Sequence, residues 1–224
     1  MPGRCYDTSM TAVALPQLSA DLERLANLEQ LMLRDETLLG AALASEDVSG
    51  VRAKGFAGSE LRLEKVTLSH AKLEKLGLTD TELLACELIA TAAPDSSWRR
   101  VLVKDSHCSG LQLQASVLQD VTFVGCKLTM ANFRFAKLKN VCFTDCTLDE
   151  ADFYEAQLQD VIFKNCSLDR TEFSGAKLKQ VDFRTSDIVG ILGLRSLAGA
   201  TIDSIQLVAL APLLAGELRI TVKD

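Results

Sequence analysis

The residues able to do chemistry are few, and their spacing speaks against most of it. Cysteines stand at positions 5, 86, 108, 126, 142, 146 and 166, and the histidines are His70 and His107. A metal site needs several such ligands converging on one point, and no CxxC pair of the zinc-binding kind occurs. Nor is there a GxSxG elbow, an HExxH helix or a glycine-rich phosphate loop, so nucleophilic, zinc-hydrolytic and nucleotide chemistry lack their usual residues. Cys126, Cys146 and Cys166 recur at a constant interval of twenty, which suits a column of small packing residues, since a buried thiol behaves as a small hydrophobe. The odd count leaves at least one thiol unpaired within the chain, and reduced cysteines are expected. Cys142, at an outward position, and Cys5 are then the reactive thiols. The expectation is a non-enzymatic protein with no catalytic residues, metal or cofactor.

The elements that position these residues are set by a period of five. From Leu118 every fifth residue is Leu, Phe or Ile through Leu138, Phe143, Leu158, Phe163 and Leu178 to Ile188. Two residues before each stands a small or slim one, as at Ala131, Val141, Cys146 and Ala156. Neither the helix period of 3.6 nor the strand period of 2 gives this spacing, so each pentapeptide is a repeated geometrical step. Residue identity returns every twenty positions: Val-x-Phe begins at 121, 141, 161 and 181, and Cys-x-Leu at 126, 146 and 166. Four pentapeptides therefore make one turn of a four-sided coil, with coils stacked at the ~4.8 Å strand spacing and the right-handed sense favoured for parallel crossovers.

The frame runs upstream through Leu28, Leu33, Leu38 and Leu43 and on through Leu63, Leu73 and Leu83 to Trp98, Cys108 and Leu113. It weakens at Ala53 with Gly58 and between Thr91 and Ser97, both read as poor coils because the count in fives is kept, although a projecting loop of matching length gives the same count, so residues 45–60 and 91–110 stay open between coil and loop. Trp98 is expected in the core. Phe on two opposite sides and Leu on the other two fill a narrow square interior, which leaves no pocket for a substrate. The division expected is an N-terminal cap (1–25), a β-helix (26–190) and a C-terminal helical module (191–224). In the last, Asp203 or Ser204 caps a helix over Ile205 to Leu210, Pro212 starts a second turn, Gly216 ends it, and Arg219 to Val222 is strand-like.

Pentapeptides such as ADFYE, AQLQD, VIFKN and CSLDR resemble those of the pentapeptide-repeat proteins. The resemblance implies an all-β fold, a right-handed quadrilateral β-helix, here with a short C-terminal helical module. Family members of the quinolone-resistance type look like duplex DNA to type II topoisomerases. The resemblance therefore implies a DNA mimic that binds DNA gyrase or topoisomerase IV and protects it from quinolones or toxins. It also implies a homodimer through the C-terminal module, whose Leu207, Leu210, Leu213, Leu214 and Leu218 need burial.

Sorting outward residues by the twenty-residue register gives three surfaces. An acidic strip gathers Asp149, Glu150, Asp152, Glu155, Asp169 and Glu172, the partner-binding residues of the DNA-mimic reading. A basic side gathers Lys137, Lys139, Lys177 and Lys179 with Gln157 and Gln159. A third side stacks Leu102, Thr122, Cys142 and Ile162 in a column suited to a small contact patch. The charge is mild: −3 over residues 26–110 (10 basic, 13 acidic) and −2 over 111–190 (9 basic, 11 acidic). With a net charge of −6 overall, direct nucleic-acid binding is not expected, and a rigid scaffold for an unrelated protein stays open beside topoisomerase binding. No apolar run nears the ~18 residues of a membrane span, and the first residues do not read as a signal peptide, so a soluble cytoplasmic protein is expected.

Overall fold

The computed structural model describes residues 12–33 and 37–223. From Leu38 onward the chain winds as a parallel β-solenoid with four sides to the coil. Strands Val117–Val124, Lys137–Thr144 and Gln157–Lys164 lie in register, with Leu118, Leu138 and Leu158 in one column and Phe123, Phe143 and Phe163 in the next. We call the side centred on Leu138 the first, and those centred on Phe143, Leu148 and Phe153 the second, third and fourth. Single bridges carry the third side, from Asp47 through Thr67, Glu87, His107, Lys127, Thr147 and Ser167 to Asp187, and the fourth side through Asn132, Asp152 and Glu172. At the strand spacing those third-side levels span about 34 Å.

Each corner is turned by a residue in the left-handed region: Asn140 (φ 53°), Asp145 (φ 53°), Glu150 (φ 58°), Glu155 (φ 53°) and their counterparts in other coils. That conformation costs an L-residue about 1–2 kcal/mol, and the corners are accordingly filled by Asp, Asn, Gly and unbranched side chains. Thr185 is the one β-branched residue with positive φ among the described residues.

Inside, the phenylalanines form two stacks. Phe123, Phe143, Phe163 and Phe183 stack at 4.9–5.0 Å between centroids, as do Phe133, Phe153 and Phe173 at 4.8–5.0 Å. The stacks meet edge-on, with 6.1 Å between Phe133 and Phe143. All seven rings are fully buried. At the inward small positions, cysteine and serine do the same job: Cys126 Sγ lies 3.4 Å from the Val103 carbonyl, Cys166 Sγ 3.5 Å from that of Phe143, and Ser186 Oγ donates to Phe163 at 2.9 Å. The cysteine column is therefore a packing column in which each polar hydrogen finds a carbonyl of the coil below.

Both weak segments are coils. Arg52–Lys54 pairs with Lys72–Glu74, Ala57–Glu64 with Gly77–Leu84, and Ala92 bridges Lys72 and Gln112. Phe56, at an inward small position, is buried beside Gly58, where an added Cβ would come within 2.3 Å of Leu61 Cδ1. A large residue two positions early thus occupies the room that a missing central residue leaves. Trp98 is buried as expected. Leu28 and Leu33 keep the count of five, but Leu28–Met32 is a short helix, α1, whose buried Leu28 and Met32 plug the bottom of the coil.

At the top, ladder pairing continues beyond Gly190: Glu172 bridges Leu192, and Ala200–Thr201 pairs with Val181–Asp182. Helix α2, Ser204–Glu217, then lies on the open end. Its N-cap is Asp203, whose carboxylate accepts the Gln206 N–H at 2.8 Å while Gln206 Oε1 accepts the Asp203 N–H at 2.9 Å, a capping box. The expected two-turn arrangement is corrected here. A single helix runs through Pro212 and Gly216 and ends where Arg219 takes the left-handed conformation (φ 56°), and Arg219 to Val222 is not a strand. Among the described residues no helix is long and apolar enough to cross a membrane.

Candidate interaction surfaces

The acidic strip forms where the third and fourth sides meet, because Asp152 and Glu172 are ladder neighbours and Asp149 and Asp169 stand on successive levels. Its carboxylates are not free. Asp152 pairs with Arg134 at 2.8 Å, Glu150 pairs with Arg170, and Asp169 lies 3.7 Å from the same guanidinium. Others close the turns: Asp152 Oδ1 accepts the Tyr154 N–H at 2.8 Å, Glu172 accepts that of Ser174 at 2.6 Å, and Asp149 accepts from Ser167 Oγ at 2.5 Å. Each of these acids therefore has a structural duty as well as a charge. Glu155 is exposed at its corner, and its carboxylate raises the Tyr154 phenol above the ordinary tyrosine value, by hydrogen bond first and by charge second.

An aromatic group on the same edge escaped the sequence reading. Phe135, 49% exposed, meets Tyr154 edge-on at 5.8 Å, and the Arg134 guanidinium lies 4.3 Å from the Tyr154 ring centroid. Arg134 is held by Asp152 and Tyr154 together, so this cation–π group is pre-ordered. Arg134 and Tyr154 are twenty apart, so the register contained that pair, whereas Phe135 stands nineteen from Tyr154 and joins them from the adjoining corner.

The basic first side is as expected, with Lys137, Gln157 and Lys177 in one column and Lys139, Gln159 and Lys179 in the other. None of these lysines has an ion-pair partner among the described residues, so the two charged surfaces differ: the acids carry their own counter-ions and the lysines do not. His70 and His107 are exposed, at a corner and on the third side.

Two expectations on the second side are corrected. Leu102, Thr122, Cys142 and Ile162 do form one column, but it is not an open patch: Leu102 is 7%, Thr122 8% and Cys142 0% exposed. Cys142 is also disulfide-bonded, so it is neither the reduced nor the accessible thiol its outward position suggested. Cys86, Cys108, Cys126, Cys146 and Cys166 are free and buried. Neighbouring sulfurs and burial together push the Cys108 and Cys146 thiols up, and burial pushes Cys86 up, which keeps them protonated. Cys5 lies outside the described residues. Among the described residues no group of His, Cys, Asp and Glu is placed to hold a metal ion.

The chain before the coil runs up one corner line. Glu23 N–H donates to the Gly40 carbonyl at 2.8 Å, Ser19 Oγ bonds Glu60, and Gln17 N–H donates to Asp80 Oδ1 at 2.9 Å. Asp80 also pairs with Arg100, and that hydrogen bond holds its carboxyl below the usual range. Between this segment and the lowest coils is a groove of about 570 Å³ lined by Ser19, Leu22, Arg24, Arg62 and Glu64 among others. The solid-rod expectation holds for the phenylalanine coils but not for this flank.

At the outer end of α2, Leu210 is buried and Leu214 packs partly against the core, whereas Leu207, Leu213 and Leu218 are 51%, 43% and 67% exposed. Gln206 Nε2 donates to the carbonyls of Phe183 and Ser186 at 2.8 and 2.7 Å, satisfying acceptors that a further coil would have taken.

Residues 116–191 match the family model described as "Pentapeptide repeat region". A comparison with curated proteins gives no match. Among solved structures, a trypsin-treated variant of QnrB1, a plasmid-mediated fluoroquinolone resistance protein, is 20% identical over 84% of this chain and 100% of that one, with a TM-score of 0.33. HetL, a pentapeptide repeat protein involved in heterocyst differentiation regulation from the cyanobacterium Nostoc sp. Strain PCC 7120, is 14% identical over 75% and 90%, TM-score 0.27. A pentapeptide repeat protein from the Arabidopsis thaliana thylakoid lumen is 22% identical over 48% and 69%, TM-score 0.31. Residues 116–191 thus match the pentapeptide-repeat family, and the same five-residue step, left-handed corners and stacked levels continue in the coils below them.

Proposed function

We propose that the chain is a non-enzymatic, protein-binding rod, and more specifically a DNA mimic that binds a type II topoisomerase, DNA gyrase or topoisomerase IV, and protects it from quinolones or toxins. One observation carries the reading: carboxylates project at successive levels from the edge between the third and fourth sides, on coils whose interior is filled by stacked rings. A filled interior offers no room for a substrate, which leaves the outer surface to do the work. Regularly spaced carboxylates facing a basic groove replace phosphates, with an affinity that falls as salt rises.

In this reading Asp149, Glu150, Asp152, Glu155, Asp169 and Glu172 meet the partner, no nucleic acid is bound directly, and the site of action is the cytoplasm. Two copies join at α2, where Leu207, Leu213 and Leu218 stand exposed beside Ile205 (80%) and Val208 (74%), and the self-complementary two-fold dimer is the commonest assembly. Purified protein added to gyrase at micromolar concentration should alter supercoiling or relieve quinolone inhibition. No effect on either sinks the topoisomerase reading.

The pairing of Glu150, Asp152 and Asp169 with Arg170 and Arg134 favours a second reading, a rigid scaffold for an unrelated protein. Its contact surface is the unpaired lysine side, Lys137 to Lys179. Charge reversal at Asp149, Asp152 and Asp169 separates the two, since only the first reading predicts lost binding.

A further inference from the structure

The first side carries its charge on a lattice. Ladder register places Arg99, Gln119, Lys139, Gln159 and Lys179 in one outward column, and Ser97, Val117, Lys137, Gln157 and Lys177 in the other. In the first column cation and amide alternate level by level, so cations recur every second level, about 9.6 Å apart at the strand spacing. Lys137 and Lys139 stand on one strand about 6.8 Å apart, with Leu138 buried between them. Arg99, Lys137, Lys139, Lys177 and Lys179 are exposed. None of the five joins a salt bridge among the described residues, whereas Asp80, Glu150 and Asp152 each do. The corners on either edge of this side are acidic, with Asp95 and Glu155 along one and Asp120 and Asp160 along the other.

We propose that the first side is a docking surface for an acidic α-helix of a partner protein, laid along the axis of the rod. A helix returns to nearly the same face after seven residues, a rise of about 10.5 Å, which meets the cation spacing to within about 1 Å per step. Acids at i and i+1 point about 100° apart, so they straddle one face and reach the two columns, and the pair recurs at i+7 and i+8. The residue at i+4 falls between the rows about 6 Å along the helix, opposite the level of Gln157 and Gln159, where an amide can serve a polar side chain. An extended strand fits poorly, because its same-face residues recur about every 6.8 Å and lose phase with the cations after one step. The acidic corners narrow the surface to the width of one helix. A flat anionic membrane lowered onto Lys137 and Lys139 also meets Glu155 and Asp160, which repel it. From Arg99 to Lys179 is four ladder steps, about 19 Å, so about 15 residues of helix cover the lattice. The assignment rests on the scaffold reading and gives its partner a chemistry; the strip of Asp149 to Glu172 lies on other sides of the coil and takes no part.

The test sets the full chain against a labelled helical peptide of about 22 residues whose glutamate pairs repeat every seven positions. Its control is an isomer of the same composition whose glutamates wind round the helix. Fluorescence anisotropy at low salt should show the first peptide binding about tenfold more tightly than the isomer, with both weakening as salt rises. Combining Lys139→Gln with Lys179→Gln supplies the amide already found on the levels between, so the coil is undisturbed and the preference should vanish. Equal binding of the two peptides overturns the helix assignment while the basic contact surface of the scaffold reading stands. A native chain that binds neither peptide overturns both. Capture of that chain by phosphatidylserine vesicles, lost in the double variant, would then assign the face to a membrane instead.

Discussion

The lower and upper coils share one backbone and fill it differently. Above Leu118 the second and fourth sides stack phenylalanines at about 5 Å spacing. Below it the same columns hold Leu43, Leu63, Leu83 and Val103 on one side and Ala53, Leu73, Ala93 and Leu113 on the other. Phe56 and Trp98 make up part of the lost volume, and a small apolar void remains, lined by leucines, Met32, Phe56 and Trp98. What holds the geometry is therefore the corner conformation and the ladder, both common to the two halves, while the ring stacks set how tightly a given coil is packed. The match to the repeat family stops at residue 116, close to where the ring stacks begin, although the coil itself continues downward.

Truncation should separate the halves most. Phe153→Ala removes a ring stacked on both neighbours and should cost about 3–5 kcal/mol, read as a lowered urea midpoint. Leu73→Ala, on the same side but beside the void, should fall toward the lower end of the ~2–5 kcal/mol range for such changes. Equal losses would erase the distinction drawn between the two regions.

The corners should not distinguish them. Lys75→Val below and Asn165→Val above both force a β-branched residue into the left-handed region, at φ 58° and 52°, and each should lose about 1–2 kcal/mol. A tolerated valine at either corner would show that the turn has another conformation available.

Enlargement should reverse the order set by truncation. Leu73→Phe places its added ring atoms beside the void and should change stability by less than about 1 kcal/mol, whereas Leu148→Phe in the filled half should cost about 1–3 kcal/mol. Thermal midpoints of the two variants decide it.

The smallest effect expected is on pH dependence, and it belongs to the lower half. Asp80 is held below its ordinary value by Arg100 and also accepts the Gln17 N–H. Its pKa is depressed on folding, so its contribution is complete above the unfolded value of about 4 and drains away as pH falls through the lower folded value. Asp80→Asn should flatten the acid limb of the stability curve; an unchanged limb would show that the pair adds nothing.

Much of this was legible in the sequence because a solenoid maps distance along the chain directly onto position. The fifth-residue count located the core columns, the weak coils and the inward cysteines. The twenty-residue register also contains the ion pairs Glu150–Arg170, Asp80–Arg100 and Arg62–Glu82, each one level apart, so the self-neutralised acids could have been found by reading opposite charges twenty apart. Other features break the period and so left no trace in it. The segment of residues 12–24 lies beside the rod, and Arg134 reaches Asp152 across eighteen residues. Helix α2 passes through Pro212 because the capping box at Asp203 and the burial of Gln206 and Leu210 on the coil end outweigh one missing backbone donor.

The central claim, that this rod acts by presenting carboxylates to a basic groove, is tested most directly by measuring gyrase binding of the native chain against the Asp149→Lys, Asp152→Lys, Asp169→Lys triple variant at rising salt. The account predicts micromolar binding for the native chain that weakens with salt and is abolished in a variant that stays folded. Native and variant chains that bind equally, or a native chain that does not bind at all, would contradict it.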